Sequence, residues 1–222
     1  MDQARTRLME AEQNAALLFR TAEDRGLIAA GKTERQLNEE IFALAKELFG
    51  IEKYWHKRII RSGPNTLQPY NENPPDLMIQ EDDILFFDFG PIFEDWEADF
   101  GRTYVIGDDP VKQKLKKDIE LAWHEGKEWF HRQTRLTGAE FYQYAVDMAG
   151  RYGWTYGGEI AGHLIGQFPT NAWRKGTTVC TSTPKITTIC LRRTRKEGPA
   201  IGYWRYILWT GRKRSEDFSS SC

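Results

Sequence analysis

From residue 3 to about residue 25, apolar side chains recur every three to four positions (Leu8, Ala11, Ala15, Leu17, Leu18, Ala22), the period of an amphipathic helix. Gly26 stops this helix and Gly31 loosens the connection after it. Thr33 with Gln36 three residues later forms a capping-box pattern, and Ile41, Phe42, Leu44, Ala45 and Leu48 carry a second helix to Gly50. The period then changes. Ile59-Ile60, Ser62-Gly63-Pro64-Asn65 and Asn73-Pro74-Pro75 are short strand and turn signals. Residues 84–89 (ILFFDF) form a nearly unbroken apolar run, the pattern of a buried strand, with one carboxylate inside it. Residues 95–106 predict a second strand. Asp109-Pro110 is a helix cap followed by a first-turn proline and opens a helix to about Phe130. The Thr137/Glu140 capping box opens another to about Tyr152. Gly162-His163-Leu164-Ile165-Gly166 then reads as a strand or a close backbone turn. Helices grouped before and after paired strands, rather than alternating with them, predict an α+β fold.

Composition adds a size and a boundary. The 222 residues are 40% hydrophobic and 13% aromatic, enough for a sizeable core and too much for a disordered chain. No apolar run approaches the ~18 residues of a membrane span. The opening MDQARTRLMEAEQ is charged and helical, unlike a secretory signal, so the expected location is cytoplasmic. The net charge of -1 is an average over unlike parts. Residues 170–222 hold 11 basic and 3 acidic side chains, against 20 and 29 in residues 1–169. All three cysteines (Cys180, Cys190, Cys222) fall in the later part, too far apart for a zinc pattern.

Candidate chemistry starts at Asp88. A carboxylate among large apolar neighbours is costly unless it is paired, hydrogen-bonded or metal-bound. Asp99, in EADFGRTY, follows eleven residues later. If the two strands form a hairpin, both carboxylates reach one site, where they repel unless a cation lies between them. Arg102 is one candidate cation and a divalent metal the other. The flanking glycines and His163 between Gly162 and Gly166 favour metal, because imidazole with carboxylates suits Zn, Mn, Co or Fe. The two Asp-Phe-Gly triplets do not make a protein kinase, since the other kinase motifs are absent from the sequence. His124 and His131 sit on a charged helix and read as surface residues.

Taken together, ILFFDFGP at 84–91, DFGRTY at 99–104 and GHLIG at 162–166 resemble the pita-bread metallopeptidases, among them methionine aminopeptidases, proline-specific aminopeptidases and creatinase. The segment Arg61-Ser62-Gly63-Pro64-Asn65 resembles the strand and turn that precede that family's first ligand. The resemblance implies a pita-bread α+β fold. It also implies hydrolysis of the amino-terminal residue of a peptide or small-molecule substrate, and a site for two divalent ions (Mn, Co, Zn or Fe). It assigns Asp88, Asp99 and His163 as metal ligands, with Asp99 bridging. Many such aminopeptidases place a substrate-contacting histidine before a tyrosine; here that pair is Pro69-Tyr70. His56, in Tyr-Trp-His-Lys, is the candidate to take over a substrate-binding role, although a lone histidine beside a strand is more often exposed and inert. The alternative function is a non-catalytic binding module on the same fold, a pseudoenzyme.

The resemblance stops near residue 169. The family's two later acidic ligands have no counterpart, since the remaining acids, Glu197, Glu216 and Asp217, lie outside any apolar alternating strand. Reading the message one nucleotide earlier restores them. Tyr203-Trp204 then forces Leu, the next codon allows only Glu or Ala, and Trp209-Thr210 forces Asp. The recovered Leu-Glu-Ile-His-Phe-Val-Asp-Arg alternates like a strand. Residues 179–185 likewise permit Leu-Tyr-Ile-His-Pro-Glu, and 169–171 permit Pro-His-Glu. The expected organisation is therefore a truncated metallopeptidase-like domain (1–169), impaired at its site, and an aberrant basic tail (170–222) from a frameshift or a gene-model error. Nucleic acid is the competing partner for this tail through its basic and aromatic residues, but basic composition alone is weak evidence.

Overall fold

The computed structural model describes residues 3–169, 189–192 and 202–203. The chain divides into two compact units, residues 1–113 with 165–174 and residues 114–164 with 175–222.

In the first unit, helices α1 (Gln3–Asp24) and α2 (Glu34–Phe49) precede strand β1 (Ile59–Ser62), a 3-10 turn (Gly63–Leu67), and strands β2 (Ile84–Phe89), β3 (Ile92–Phe93), β4 (Trp96–Glu97) and β5 (Phe100–Val105). The Thr33 capping box forms as the sequence predicts, and Gly50 ends α2 at a left-handed φ of 66°. The main sheet is antiparallel in the order β1-β2-β5. Its pleat sorts the side chains. Ile60, Leu85, Phe87, Phe89, Phe100 and Tyr104 face the apolar core, where Leu18, Phe19 and Ala22 of α1 and Leu37 and Ile41 of α2 meet them. The Phe19 ring stands edge-on to Phe87, Phe89 and Phe100 at 5.6, 5.6 and 5.1 Å. Each such aromatic contributes about 1.5–3 kcal/mol through burial. Alternation then puts Asp88, in register with Ile59 and Gly101, on the other face.

The single strand expected over residues 95–106 is in fact two. Glu94 and Asp95 have positive φ values of 45° and 68°, which turn β3 tightly into β4. The chain then leaves the ladder at Ala98, whose N–H donates to Pro91 O at 2.9 Å. The break leaves Asp99 just ahead of β5.

The second unit contains most of α3 (Pro110–Arg132), then β6 (Arg135–Thr137), α4 (Gly138–Arg151), β7 (His163–Leu164), β8 (Ile189–Arg192) and β9 (Gly202–Tyr203). Asp109 caps α3 by accepting from the N–H groups of Val111 and Lys112, both at 2.9 Å. The Thr137/Glu140 capping box starts α4. Trp129 of α3 stacks on Tyr144 of α4 at 3.8 Å. Buried Asp118 accepts from Trp154 Nε1 at 2.7 Å and pairs with Lys114. Strand β8 pairs with β6, and β9 with β7. The boundary expected at residue 170 falls on residues outside those described. Apart from β8 and β9, the 170–222 segment lies outside the described residues.

One buried carboxylate ties α2 to the turn after β1. Glu34 accepts from Ser62 N–H at 2.6 Å, Ser62 Oγ at 3.1 Å and Asn65 Nδ2 at 2.9 Å. Orphaning a buried donor costs about 1–3 kcal/mol. Glu34→Ala is therefore expected to lower unfolding stability by about 3 kcal/mol, read as a reduced urea midpoint with an unchanged slope.

Candidate metal centre

The ladder between β2 and β5 sets the two aspartates close together. Asp88 lies opposite Gly101, two residues beyond Asp99, so both carboxylates come to the face away from the core, 2% and 3% exposed. Arg102, the candidate counter-cation, pairs in register with Phe87 rather than Asp88 and so belongs to the opposite face. Its guanidinium lies over the Phe100 ring at 5.1 Å. The arginine explanation of the buried pair is set aside on this geometry.

The third member of the cluster is His56. Its Nε2 lies 3.7 Å from an Asp88 oxygen and 3.9 Å from an Asp99 oxygen, at ion-pair rather than hydrogen-bond distance. Donor atoms from His56, Asp88 and Asp99 all lie within 4.8 Å of one another. The side chain is not exposed, as a lone histidine beside a strand more often is, but only 7% exposed. Burial alone would lower the His56 pKa. Its contact with Asp99, the charges of Asp88 and Asp99, and the Lys57 carbonyl outweigh that and raise it above the ordinary histidine value.

A short run of backbone bonds holds His56 there. Trp55 N–H donates to Gly90 O at 3.0 Å, and Ile92 N–H to Lys53 O at 3.2 Å. Trp55 Nε1 reaches Ala98 O at 2.7 Å, on the segment leading to Asp99. Residues 53–56 thus lie along the chain that links Asp88 to β3. Gly90 supplies the room: a Cβ there would collide with Trp55 Nε1 and with the His56 ring, reaching Nε2 at 2.6 Å. The His56 ring also stands 6.2 Å from Tyr70. Buried Arg61 fixes the Tyr70 loop by donating to the carbonyls of Gln68, Pro69 and Glu72.

His163 lies in the second unit on β7, opposite Tyr203, and is 8% exposed. The cluster of His56, Asp88 and Asp99 does not include it. His124 and His131 are exposed on α3, as expected. A residue that the sequence pattern did not flag is Glu97, 4% exposed. Its Oε2 accepts from Gly166 N–H at 3.1 Å, and its own N–H donates to Gly166 O at 3.0 Å. It therefore anchors the end of the Gly162–Gly166 motif. The place of His56 follows from the strand register, since pairing Ile59 with Asp88 sets residues just before β1 beside residues just after β2.

The donor set suits a divalent ion: two carboxylates and an imidazole, buried together, with Nδ1 of the imidazole engaged by Lys57 O at 2.7 Å.

Comparison with known proteins gives one answer. Residues 6–183 match metallopeptidase family M24. An Xaa-Pro dipeptidase of Pyrococcus horikoshii is 27% identical over 168 residues, covering 72% of this chain and 46% of its own length. One from Pyrococcus furiosus is 31% identical over 94 residues, 42% of this chain and 26% of its length. This chain therefore spans less than half the length of these relatives. Among solved structures, an X-Pro aminopeptidase of Thermotoga maritima superposes with a TM-score of 0.65 at 20% identity, over 85% of this chain and 50% of that one. A methionine aminopeptidase of the same organism gives 0.65 at 13% identity, over 90% and 77%.

Gly90→Ala is expected to drive His56 and Trp55 out of register with the aspartates. The overpacking cost is about 1–3 kcal/mol, seen as a lower melting temperature. Substitution at open Gly150, where a Cβ meets nothing within 4 Å, should leave melting nearly unchanged.

Proposed function

The chain belongs to metallopeptidase family M24 and shares its α+β pita-bread fold, and from this premise we propose that its activity is metal-dependent removal of an amino-terminal residue from short peptides, with Xaa-Pro dipeptides as the favoured substrates. The observation that carries this reading is the buried carboxylate pair Asp88 and Asp99, aimed away from the core on adjacent antiparallel segments. Substrate class rests on the Xaa-Pro dipeptidases that the chain resembles.

A bound divalent ion (Mn, Co, Zn or Fe) would polarise the scissile carbonyl and activate a water. The chain's own residues orient what is bound there. Asp88 and Asp99 supply the anionic oxygens, the bonds from Trp55 and Gly90 hold the strap around them, and His56 stands beside Tyr70 at the site. His163 is assigned as a ligand by the Gly162–Gly166 motif. The two later acidic ligands are missing from the sequence after Gly166, so the site is proposed to hold one ion well and a second poorly, and the chain to be impaired. Residues 170–222 are proposed to be an out-of-frame tail, and the expected cytoplasmic location stays part of this reading. Among the described residues, no helix is long and apolar enough to cross a membrane.

Equilibrium dialysis of the full chain against Mn2+ is expected to give one tightly held equivalent, with slow, metal-dependent cleavage of Xaa-Pro dipeptides. Asp99→Ala should abolish both. Absence of metal binding and of cleavage, with Asp99→Ala harmless, would identify a binding module instead.

Sequencing the transcript across the codons for Gln167 to Trp173 is expected to reveal a one-nucleotide shift, an unspliced intron or a gene-model break. A chain rebuilt in the restored frame should bind a second equivalent of Mn2+. An uninterrupted transcript encoding the printed tail would exclude the gene-model error, and a rebuilt chain with no gain would remove the frame hypothesis.

A further inference from the structure

We infer that His56 is itself a metal ligand, its Nε2 joining Asp88 and Asp99 around one divalent ion within the first unit. This deepens the metal-dependent reading above and rests on it, but it assigns the imidazole to a residue outside the family motifs.

Two observations support the assignment. The first is the ring's orientation. His56 Nδ1 meets Lys57 O at 2.7 Å, and a carbonyl only accepts, so Nδ1 carries the proton. Nε2 is then the ring atom turned to the carboxylates and the one that offers a lone pair to an ion, the arrangement in which ligating histidines donate the other ring N–H to a carbonyl. That Nε2 is buried and has no hydrogen-bond partner among the described residues, although it points toward two carboxylates.

The second is distance. Nitrogen–metal and oxygen–metal bonds are about 2.0–2.2 Å, so two ligand atoms on one ion lie no more than roughly 4.4 Å apart. The separations of 3.7 and 3.9 Å are too long for hydrogen bonds and fall inside that reach.

The ring is also held in place independently of any ion. Gly90 has no side chain because the His56 ring occupies that space. Trp55, through Ala98 O, ties the strap to the segment bearing Asp99. The Trp55 ring stands edge-on to the imidazole at 4.3 Å.

The test uses Mn2+ with the full chain, comparing wild type, His56→Ala, His56→Gln, His163→Ala and the His56→Ala/His163→Ala pair. Pulsed EPR at one equivalent reads coupling from a directly bound imidazole nitrogen, and the free-Mn2+ signal reads affinity. The expected result is that nitrogen coupling persists in His163→Ala and disappears in the double variant. His56→Ala and His56→Gln should each weaken Mn2+ binding by roughly tenfold or more, with circular dichroism confirming that the variants are folded. Should His56→Ala not fold, the coupling in His163→Ala still decides. Coupling lost in His163→Ala alone, or unweakened binding by folded His56 variants, overturns the assignment and leaves the metal-dependent function standing. Failure of the wild-type chain to bind Mn2+ overturns both.

Discussion

The structure depends on keeping two like charges buried side by side. Asp88 sits in the middle of a strand whose neighbours Phe87 and Phe89 are fully buried, so it cannot turn to water without unpacking the core. The sheet resolves this by alternation. Every second residue of β2 feeds the core against α1 and α2, and the residues between feed the opposite face. A one-residue slip of β2 would put Asp88 into the aromatic cluster around Phe19 and bring Phe87 to the site. The register is therefore set by the core and used by the site, and the stability of one guarantees the geometry of the other.

What surrounds the aspartates follows from that register. Because β1 runs antiparallel to β2 with Ile59 opposite Asp88, the residues before β1 pass the carboxyl end of β2. Gly90 leaves the gap that Trp55 and His56 fill. The turn at Glu94 and Asp95 then brings the chain back, and the break at Ala98 releases Asp99 from the ladder. Two irregularities in this stretch, Gly90 and the break at Ala98, lie beside the polar side chains His56 and Asp99. Glu34 and Arg61 act one layer out. The first ties α2 to the turn after β1, and the second closes the Tyr70 loop over carbonyl groups.

The parts legible in the sequence were those with a local signature. Both capping boxes, the glycine at the end of α2 and the apolar run of β2 are short-range patterns, and the structure reproduces them. The aspartate pair was legible because its spacing fits a hairpin. The split of β4 from β5 was not, since residues 95–106 keep a strand-like composition and only backbone conformation at Glu94 and Asp95 interrupts them. The burial of His56 was not legible for a related reason. Tyr-Trp-His-Lys resembles a surface segment, and its burial comes from a glycine 34 positions later. Glu97 was overlooked because its partner is the backbone of Gly166 rather than a side chain with a recognisable motif. Long-range packing, unlike capping or periodicity, leaves no trace in the residues nearby.

Charge bears on how much of a two-ion site such a chain would retain. Two divalent ions bring four positive charges, and the family's pattern meets them with four carboxylates and one histidine. After Gly166 this sequence offers no acid in an apolar strand, so the buried carboxylates described at the cluster are Asp88 and Asp99. Two negative charges neutralise one ion. On the reading proposed above, a second ion would add positive charge that these two carboxylates do not offset. A histidine adds a lone pair but no charge, so on that reading His56 would strengthen one ion without offsetting the charge of a second. The same arithmetic bears on the tail: 11 basic residues against 3 acidic ones over 170–222 add positive charge in the part of the chain where the family's pattern calls for two more acids.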